Sequence, residues 1–288
     1  MGISRKAKIF LAGHRGFLGS AIHKCLKENK FENIITWNRE ELDLGNQNDT
    51  INKLVKNEPE IIINAAGMTG GVVFNQKKPA FLSLHNLSVQ NSIFLSAIKV
   101  SGVSHVIYFG SSCMYPISYD SPMNENLLFE GQLEPTSFAY AMAKLSGVSV
   151  AEAINQESNS CTVTTIIPSG VYGPGDDFDL NSAHVIAALI KKFSIAKEKN
   201  KPSVTLFGDG SPVRQFLFIE DLADFVVYCL DNRNSAKGIF NVGNEKGISI
   251  SALAQLTKKA VNYRGNILWD TSMPNGAPYK VLDTQKCE

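Results

Sequence analysis

The segment KIFLAGHRGFLG (residues 8–19) decides the fold. Its first five residues form an apolar run with the length of a buried β-strand, and a GxxGxxG loop follows directly. From Ser20 onward the apolar residues recur with the period of a helix. Glycines between a strand and a helix let the backbone approach a pyrophosphate, whose charge meets free N–H groups at the helix N-terminus. The segment therefore predicts a dinucleotide site formed by Gly13, His14, Arg15, Gly16, Phe17, Leu18 and Gly19.

Beyond this loop, apolar runs continue to alternate with helix-period segments through about residue 170. Such alternation is typical of a parallel sheet with helices on both faces. The predicted strands are residues 8–12, 33–37, 60–64, 103–109, 162–167, 204–207 and 239–242. The predicted helices are residues 20–30, 49–57, 79–100, 137–156, 183–199, 221–230 and 249–261.

These elements predict an α/β protein with a Rossmann-type doubly wound parallel sheet and a smaller, irregular α/β substrate-binding lobe. The nucleotide-binding domain is predicted to span residues 1–168 and to be rejoined by residues 215–243. Residues 169–214 and 244–288 are predicted to form the lobe, which covers the carboxyl ends of the strands, where open α/β sheets bind ligands.

Composition narrows the function classes. The chain has 288 residues, and 28 Lys plus Arg against 27 Asp plus Glu leave a net charge of +1, which argues against a nucleic-acid binder. Polar residues interrupt the long uncharged stretches 79–98 and 100–119, so no membrane span is expected. The five cysteines are scattered and lack CxxC spacing. We expect no disulfide framework, no metal site and a cytoplasmic location.

The second predicted strand indicates which cofactor binds. An NAD enzyme usually has an acidic residue at its end, but here no acid precedes Glu40. Arg39 and Arg15 are suited to a 2′-phosphate, which predicts NADPH; the alternative is two solvated surface arginines. Asp43 is either an adenine contact or a helix N-cap.

Tyr140 and Lys144 form a YxxxK motif and lie on one face of a predicted helix. A nearby ammonium and a bound nicotinamide cation favour the phenolate, and the Ser111 hydroxyl can orient the same substrate oxygen. The alternative interpretation is an amphipathic helix surface. Together with the glycine loop, the motif is the signature of the short-chain dehydrogenase/reductase superfamily, extended branch.

Two further residues indicate an additional reaction. Alternation along an extended segment would place Ser111 and Cys113 on one side of the chain, and His184 opens a helix of the second lobe. A thiol and an imidazole on opposite faces of a sugar ring can remove and return protons beside a ketone, as epimerisation requires. The alternatives are a small buried hydrophobic cysteine and a capping or surface histidine.

From residue 7 to its end the chain resembles the GDP-L-fucose synthase family. Simple 4-epimerases have another residue in place of Cys113, and sugar-nucleotide dehydratases typically have an Asp-Glu pair where this chain has Ser112 and Cys113. The resemblance is carried by the segments AGHRGFLGSAI, NREELDL, GSSCMYP, LEPTSFAYAMAKLSG, VYGPGDDFD, HVIAALIKKF, LFGDGSPVRQFLFIEDLAD, NVGNEKGISI and NGAPYKVLD.

This resemblance implies a bifunctional enzyme that converts GDP-4-keto-6-deoxy-D-mannose to GDP-L-fucose. Cys113 and His184 would epimerise C3 and C5, and Ser111, Tyr140 and Lys144 would support reduction of C4 by NADPH, with Tyr140 protonating the oxygen. It further implies cofactor contacts by Leu44, Ala65, Ala66, Tyr140, Lys144, Pro168, Val171 and His184. The implied contacts to the GDP-sugar are Val185, Leu189, Lys192, Leu206, Phe207, Arg214 and Lys280.

The chain departs from the family pattern near the sugar. Four residues differ from those of the family: Gly170 replaces an asparagine, Phe207 replaces the guanine-stacking tryptophan, and Lys192 and Tyr279 each replace an arginine. The chain also ends before the family's closing segment. One alternative is therefore a related GDP-linked 4-keto deoxysugar or heptose as substrate. A second is a catalytically weak NADP-binding regulatory protein, suggested by the shortened lobe.

The predicted helices 79–100 and 137–156 have apolar residues on more than one face. That leaves an apolar stripe beyond what packing on the sheet requires, which predicts a homodimer formed through these helices.

Overall fold

The computed structural model describes residues 2–158, 160–273 and 275–287, and of these it leaves out the side chains of residues 72 and 73. In chain order the strands are β1 (Lys8–Ala12), β2 (Asn33–Ile35), β3 (Ile61–Asn64), β4 (His105–Phe109), β5 (Thr162–Pro168), β6 (Gly170–Tyr172), β7 (Ser203–Phe207), β8 (Val213–Arg214), β9 (Phe216–Phe218), β10 (Gly238–Val242), β11 (Ile248–Ser249), β12 (Asn266–Asp270) and β13 (Tyr279–Lys280). The α-helices are α1 (Phe17–Glu28), α2 (Gln47–Asn57), α3 (Val72–Lys77), α4 (Pro79–Lys99), α5 (Phe138–Glu157), α6 (Val185–Glu198), α7 (Ile219–Asp231) and α8 (Ile250–Val261).

The main sheet is parallel throughout, with the strand order β10-β5-β4-β3-β1-β2. Its strand order reverses between β1 and β3, where Ile9 pairs with Ile61 and Ala12 with Asn64. Crossovers leave in opposite directions on either side of such a point, so a crevice opens at the carboxyl ends of the two strands. The predicted doubly wound sheet is confirmed, and its switch point lies where the glycine loop begins.

Both faces of this sheet are covered, which explains why its central strands are continuous apolar runs. Phe10 packs with residues of α2, α4 and α5 on one face, and its neighbour Ile9 packs with residues of α1 and α7 on the other. Successive side chains of a strand point to opposite faces, so both are buried. Each such side chain contributes roughly 1.5–3 kcal/mol of hydrophobic stabilisation.

A second group of elements carries a core of its own. Strand β7 pairs with β12, strand β8 lies between β11 and β13, and strand β6 pairs with β9. Helices α6 and α8 pack together over a cluster that includes Phe193 and Leu253. This part of the molecule brings Arg214 on β8 and Lys280 on β13 side by side.

The structure differs from the predicted elements in several places. Helix α1 begins at Phe17 rather than Ser20, because its first turn contains the glycine-loop residues. Strand β2 ends at Ile35, and the Trp37 ring instead packs against Phe10 with ring centroids 4.9 Å apart. Helix α3 and the strands β6, β8, β9, β11, β12 and β13 were not predicted. Most have two or three residues, too few to establish a period.

Helices α4 and α5 correspond to the predicted helices 79–100 and 137–156. Over the part of the chain that the structure describes, no helix combines the length and apolar character that crossing a bilayer would need.

Candidate active site

The glycine loop is built as a cradle for phosphate. Gly13 has a φ of 77°, and a Cβ at this position would lie 2.7 Å from the carbonyl oxygen of Ala65 and from the nitrogen of Ala66. A Cβ on Gly19 would collide with the carbonyl oxygen of Gly13. Side chains at these positions would therefore separate the loop, helix α1 and the end of β3. The structure thus brings the predicted contacts Gly13, Gly19, Ala65 and Ala66 together.

Helix α1 presents its N-terminus to this cradle. Gly16 precedes the helix in an extended conformation, and no side chain caps the first turn. Unused N–H groups and the helix dipole there favour a pyrophosphate, so these residues fit a dinucleotide. Phe17 lies near Gly175 of the second part of the molecule. Leu18, Ala65 and Val171 pack against the same hydrophobic cluster.

The two arginines proposed for a 2′-phosphate are exposed. Burial lowers the pKa of His14; the nearby charge of Arg15 lowers this pKa further, and Glu41 opposes the change. Burial is also the main cause of the lowered pKa of His85; Arg39 lowers this pKa further, and Asp43 opposes the change. Among the described residues neither guanidinium forms an ion pair, so both remain available to an anion.

Asp43 is not the N-cap of a helix. Its Oδ1 accepts a hydrogen bond from the backbone N–H of Gly45 at 3.0 Å, and Asn46 caps α2 instead. The capping alternative for Asp43 is therefore wrong, because the chain needs one more turn before the helix begins. A contact with adenine stays a prediction, and His85 of α4 joins it as a neighbour that the sequence did not single out.

Replacing Arg39 by alanine should reduce the preference for NADPH over NADH roughly ten- to a hundredfold, because charge-assisted hydrogen bonds to the 2′-phosphate are lost. The KM for NADPH should rise while that for NADH stays the same, and steady-state kinetics with both cofactors measures this. Arg264→Ala, an exposed arginine between α8 and β12, is the matched control. An unchanged preference in Arg39→Ala would contradict the role.

Tyr140 and Lys144 lie on one face of α5 and are both 8 % exposed. The Lys144 Nζ donates to the carbonyl oxygen of Phe109, at the end of β4, over 2.9 Å. Side chains of Ser111 and Thr69 interact with the Tyr140 hydroxyl. The structure therefore assembles a phenol, an ammonium and two hydroxyls at the carboxyl end of β4, as predicted for three of these residues.

The expected depression of the pKa of Tyr140 is not found in the protein alone. Burial raises the pKa of Tyr140 to about 12; Cys113 adds to the rise, and the hydroxyls of Thr69 and Ser111 oppose it. Burial also lowers the pKa of Lys144 to about 8. Removal from water is thus the largest cause of both pKa shifts. At neutral pH the phenol is protonated, which is the state required of a proton donor.

Cys113 reaches the site by a route that differs from the predicted one. Residues 112–114 form a 3₁₀ turn, and the Ser111 Oγ accepts a hydrogen bond from the N–H of Cys113 at 3.3 Å. Alternation along an extended segment is therefore the wrong reason for their proximity, because the strand ends before Ser112. The buried Tyr115 anchors the turn by donating its hydroxyl to Asn241 Oδ1 over 2.7 Å.

Cys113 is half-buried next to two cations. Burial lowers the pKa of Arg214, although Glu134 and Cys113 oppose this effect. The pKa of Lys280 is raised, because Cys113 and Glu134 together outweigh burial. Lys280 donates to Glu134 Oε2 over 2.8 Å. The structure thus places Cys113 near Tyr140, Arg214 and Lys280.

His184 is the N-cap of α6 rather than a residue of its first turn, and its side chain makes no capping bond. The neighbouring Ser182 accepts a hydrogen bond through its carbonyl oxygen from the N–H of Gly71 over 3.0 Å, which docks this segment on the loop after β3. That loop also carries Thr69. His184 is exposed beside this loop, and in the described residues no hydrogen bond joins it to Cys113.

Some of the residues predicted to bind the GDP-sugar are part of the second core. Leu189 and Leu206 are buried within it, and Val185 packs against it. The Lys192 Nζ lies 4.7 Å from the ring centroid of the exposed Phe207. An open aromatic face beside an ammonium suits a base and a phosphate, so Lys192 and Phe207 are the better-placed side chains of this group.

Three residues near the site were missed by the sequence reasoning. Thr69 follows a buried strand, Asn86 lies in the apolar helix α4, and Glu134 belongs to a quoted motif. Asn86 exchanges hydrogen bonds of 3.0 and 2.9 Å with the backbone of Met68, which fixes the loop that carries Thr69. A polar residue inside an apolar helix was the available signal for Asn86.

Fold and site together define a nicotinamide-dependent dehydrogenase of the YxxxK type. The model of the NAD dependent epimerase/dehydratase family matches residues 9–243, and the chain belongs to this family.

Full-length relatives confirm the narrower resemblance to GDP-L-fucose synthases. The chain is 37% identical over 281 residues to the probable GDP-L-fucose synthase 1 of Oryza sativa subsp. japonica, covering 98% of this chain and 85% of that one. It is 33% identical to the GDP-L-fucose synthase of Escherichia coli (strain K12), covering 98% and 89%.

Solved structures extend the likeness to other GDP-sugar enzymes. A GDP-6-OMe-4-keto-L-xylo-heptose reductase from C. jejuni matches with a TM-score of 0.91 and 27% identity, covering 99% of this chain and 92% of that one. A GDP-L-fucose synthetase from Naegleria fowleri bound to NADP matches with a TM-score of 0.86 and 26% identity, covering 98% and 87%. The predictions of an NADP-dependent oxidoreductase and epimerase, and of NADPH as its cofactor, are confirmed by these matches.

Proposed function

We propose that this protein converts GDP-4-keto-6-deoxy-D-mannose to GDP-L-fucose, by epimerisation at C3 and C5 followed by reduction at C4. The observation that carries the proposal is that Tyr140, Ser111 and Cys113 lie near one another and that Cys113 lies beside the cation pair Arg214 and Lys280. Reduction alone needs only Tyr140 and Ser111, and the binding of a diphosphate accounts for Arg214 and Lys280. The thiol is what adds the epimerisation.

For the reduction, NADPH when bound supplies the hydride, and the glycine cradle with the uncapped end of α1 is where it fits. Tyr140 donates its proton to the oxygen that develops negative charge at C4, and Ser111 orients that oxygen. Lys144 is held against the backbone at Phe109, so its charge stays next to the phenol as the proton leaves.

For the epimerisation, the thiolate of Cys113 removes the proton from a carbon next to the ketone. His184 returns a proton from the other face of the ring, which inverts the centre. Each removal leaves an enolate whose charge is stabilised by the donors at the C4 oxygen, Tyr140 and Ser111. Both C3 and C5 adjoin C4, so the same pair can act at each carbon in turn. Between the two inversions the Cys113 thiol gives its proton to solvent and His184 takes one up, which restores the base and the acid.

The proposal is tested by incubating the protein with the 4-keto sugar nucleotide and NADPH. Stoichiometric oxidation of NADPH with formation of a single GDP-6-deoxyhexose is the expected result. Tight NADPH binding without turnover of any keto sugar would contradict the proposal and favour an NADP-binding regulatory role.

A second candidate keeps the reductase chemistry and changes the sugar to a related GDP-linked 4-keto deoxysugar or heptose. The solved heptose reductase and the departures Gly170 and Tyr279 favour it. A Cβ on Gly170 would lie 3.0 Å from Phe216 Cδ1, so the asparagine of the family cannot be restored without moving that ring. Competition between the deoxyhexose and heptose substrates distinguishes the two candidates by their kcat/KM ratio.

We also propose a homodimer through α4 and α5. These helices pack against each other and leave apolar side chains exposed, namely Phe81, Leu84, Ile98, Phe138, Met142 and Val150. An exposed apolar area of this kind favours a partner surface. Light scattering at micromolar concentration should give twice the chain mass, and Leu84→Glu should give a monomer. Leu256→Glu, exposed on α8, is the control; a monomeric wild type would refute the proposal.

A cytoplasmic location and the predicted two-domain division remain part of the proposal. Free thiols at Cys25, Cys113, Cys161 and Cys229 support a reducing compartment. The main sheet takes its last strand, β10, from residues 238–242, which supports the return of the chain to the nucleotide-binding domain.

A further inference from the structure

Glu134 is a carboxylate inside the proposed diphosphate site. It lies directly before the turn that leads into α5, and 11 % of its side chain is exposed. One carboxylate oxygen accepts from Lys280 Nζ at 2.8 Å and the other from Thr136 Oγ1 at 3.1 Å. A buried carboxylate beside a site for a polyanion is unfavourable unless nearby cations and hydrogen-bond donors compensate its charge.

Lys280 forms an ion pair with this acid, and Arg214 lies near both. Lys280 and Arg214 are paired on neighbouring strands. A Cβ on Gly276 would lie 3.5 Å from Arg214 Nη2 and 3.8 Å from Glu134 Oε1, so the guanidinium and the carboxylate flank the same glycine. Without Glu134, Lys280 would lose its ion-pair partner, and its repulsion from the adjacent Arg214 would be uncompensated.

We propose that Glu134 is the internal counter-ion of the diphosphate site and lowers its affinity for every diphosphate: the carboxylate pairs with Lys280 and lies near Arg214, and a ligand's negative charge must compete with it. A ligand with a base and a sugar has further contacts and can overcome this competition. A free phosphate or pyrophosphate has none and is disfavoured. The inference rests on the proposed function, since it takes Lys280 and Arg214 to bind a GDP-linked ligand.

Ionisation supports this arrangement. Burial raises the pKa of Glu134, but Lys280, Thr136 and Arg214 together outweigh burial and hold it below its usual value. The carboxylate is therefore charged at neutral pH, and Glu134→Gln removes a real charge while preserving shape.

The test is calorimetric titration of GDP and of pyrophosphate into the protein saturated with NADPH, so that the glycine loop is already filled. Glu134→Gln should bind both ligands about tenfold more tightly, because a repulsive charge beside them is gone. Glu134→Asp keeps the charge and should stay within about threefold of the wild type. Glu28→Gln, at the end of α1 away from the glycine loop, changes the net charge by the same amount and should leave the affinity for both ligands unchanged.

Unchanged or weaker binding of GDP to Glu134→Gln, with NADPH binding intact, would overturn the inference. If Glu134→Gln fails to bind NADPH, the affinity for GDP is compared between Lys280→Met and Lys280→Met/Glu134→Gln instead. The two differ only in the charge of residue 134, and the double variant leaves no unpaired acid. The double variant should bind GDP more tightly than Lys280→Met, and equal affinity would overturn the inference. Lys280→Met binding GDP as well as the wild type would instead contradict the proposed substrate site.

Discussion

Tyr140→Phe should lower kcat for ketone reduction by about 10²–10⁴-fold, the range that a positioned general acid contributes. The phenol is buried, and its pKa of about 12 keeps it protonated at neutral pH, so the wild type has a proton ready for the C4 oxygen. Phenylalanine keeps the ring and its packing on α5 but removes that proton. Stopped-flow or steady-state measurement of NADPH oxidation gives the change in rate.

The binding of ligands distinguishes this loss from a structural defect. Tyr140→Phe should bind NADPH and GDP with nearly unchanged affinity, since the hydroxyl contributes mainly to the transition state. Tyr228→Phe, on the exposed face of α7, is the matched control and should keep full activity. A kcat for Tyr140→Phe within about twofold of the wild type would rule out Tyr140 as the essential acid.

Cys113→Ser should separate the two halves of the proposed reaction. Serine keeps the 3₁₀ turn, but its hydroxyl is a far weaker acid than a thiol of pKa about 8.5, so almost no anion is available to remove a carbon-bound proton. Epimerisation should fall by about 10²–10⁴-fold, while reduction of an already epimerised ketone continues at nearly the wild-type rate. Deuterium uptake from D2O at C3 and C5, followed by NMR, measures the first half.

Cys161→Ser provides the control, because this thiol lies directly before β5, at the amino ends of the strands, whereas the proposed site lies at their carboxyl ends. It should retain both activities. Loss of reduction together with epimerisation in Cys113→Ser would mean that the thiol supports the fold of the turn rather than the chemistry. Full epimerisation in the same variant would exclude Cys113 as the base.

The main sheet was predictable because its strands are buried on both faces and helices such as α1, α2 and α7 are amphipathic, so periodicity and burial coincide. The short strands β8 and β13 were not, although they carry Arg214 and Lys280. Two residues have no period, and their pairing depends on segments more than sixty positions apart in the chain. The resemblance supplied those two residues; periodicity did not.

The site was predictable where spacing alone fixes geometry, as for Tyr140 and Lys144 on one helix face. Prediction failed where geometry depends on a turn or on burial. Cys113 is near Ser111 because of a 3₁₀ turn, and the pKa of Tyr140 is raised because the hydroxyl is removed from water. Glu134 was overlooked because its significance arises only when β13 brings Lys280 within 2.8 Å.

The central claim is that one cleft inverts two centres of a GDP-linked 4-keto-6-deoxy sugar and then reduces its ketone. Its most direct test is the reaction of the purified protein with GDP-4-keto-6-deoxy-D-mannose and NADPH in D2O, with product configuration and deuterium content determined by NMR. We predict GDP-L-fucose with deuterium at both C3 and C5. A reduced sugar that retains its original C3 and C5 configurations and carries no deuterium there would contradict the claim.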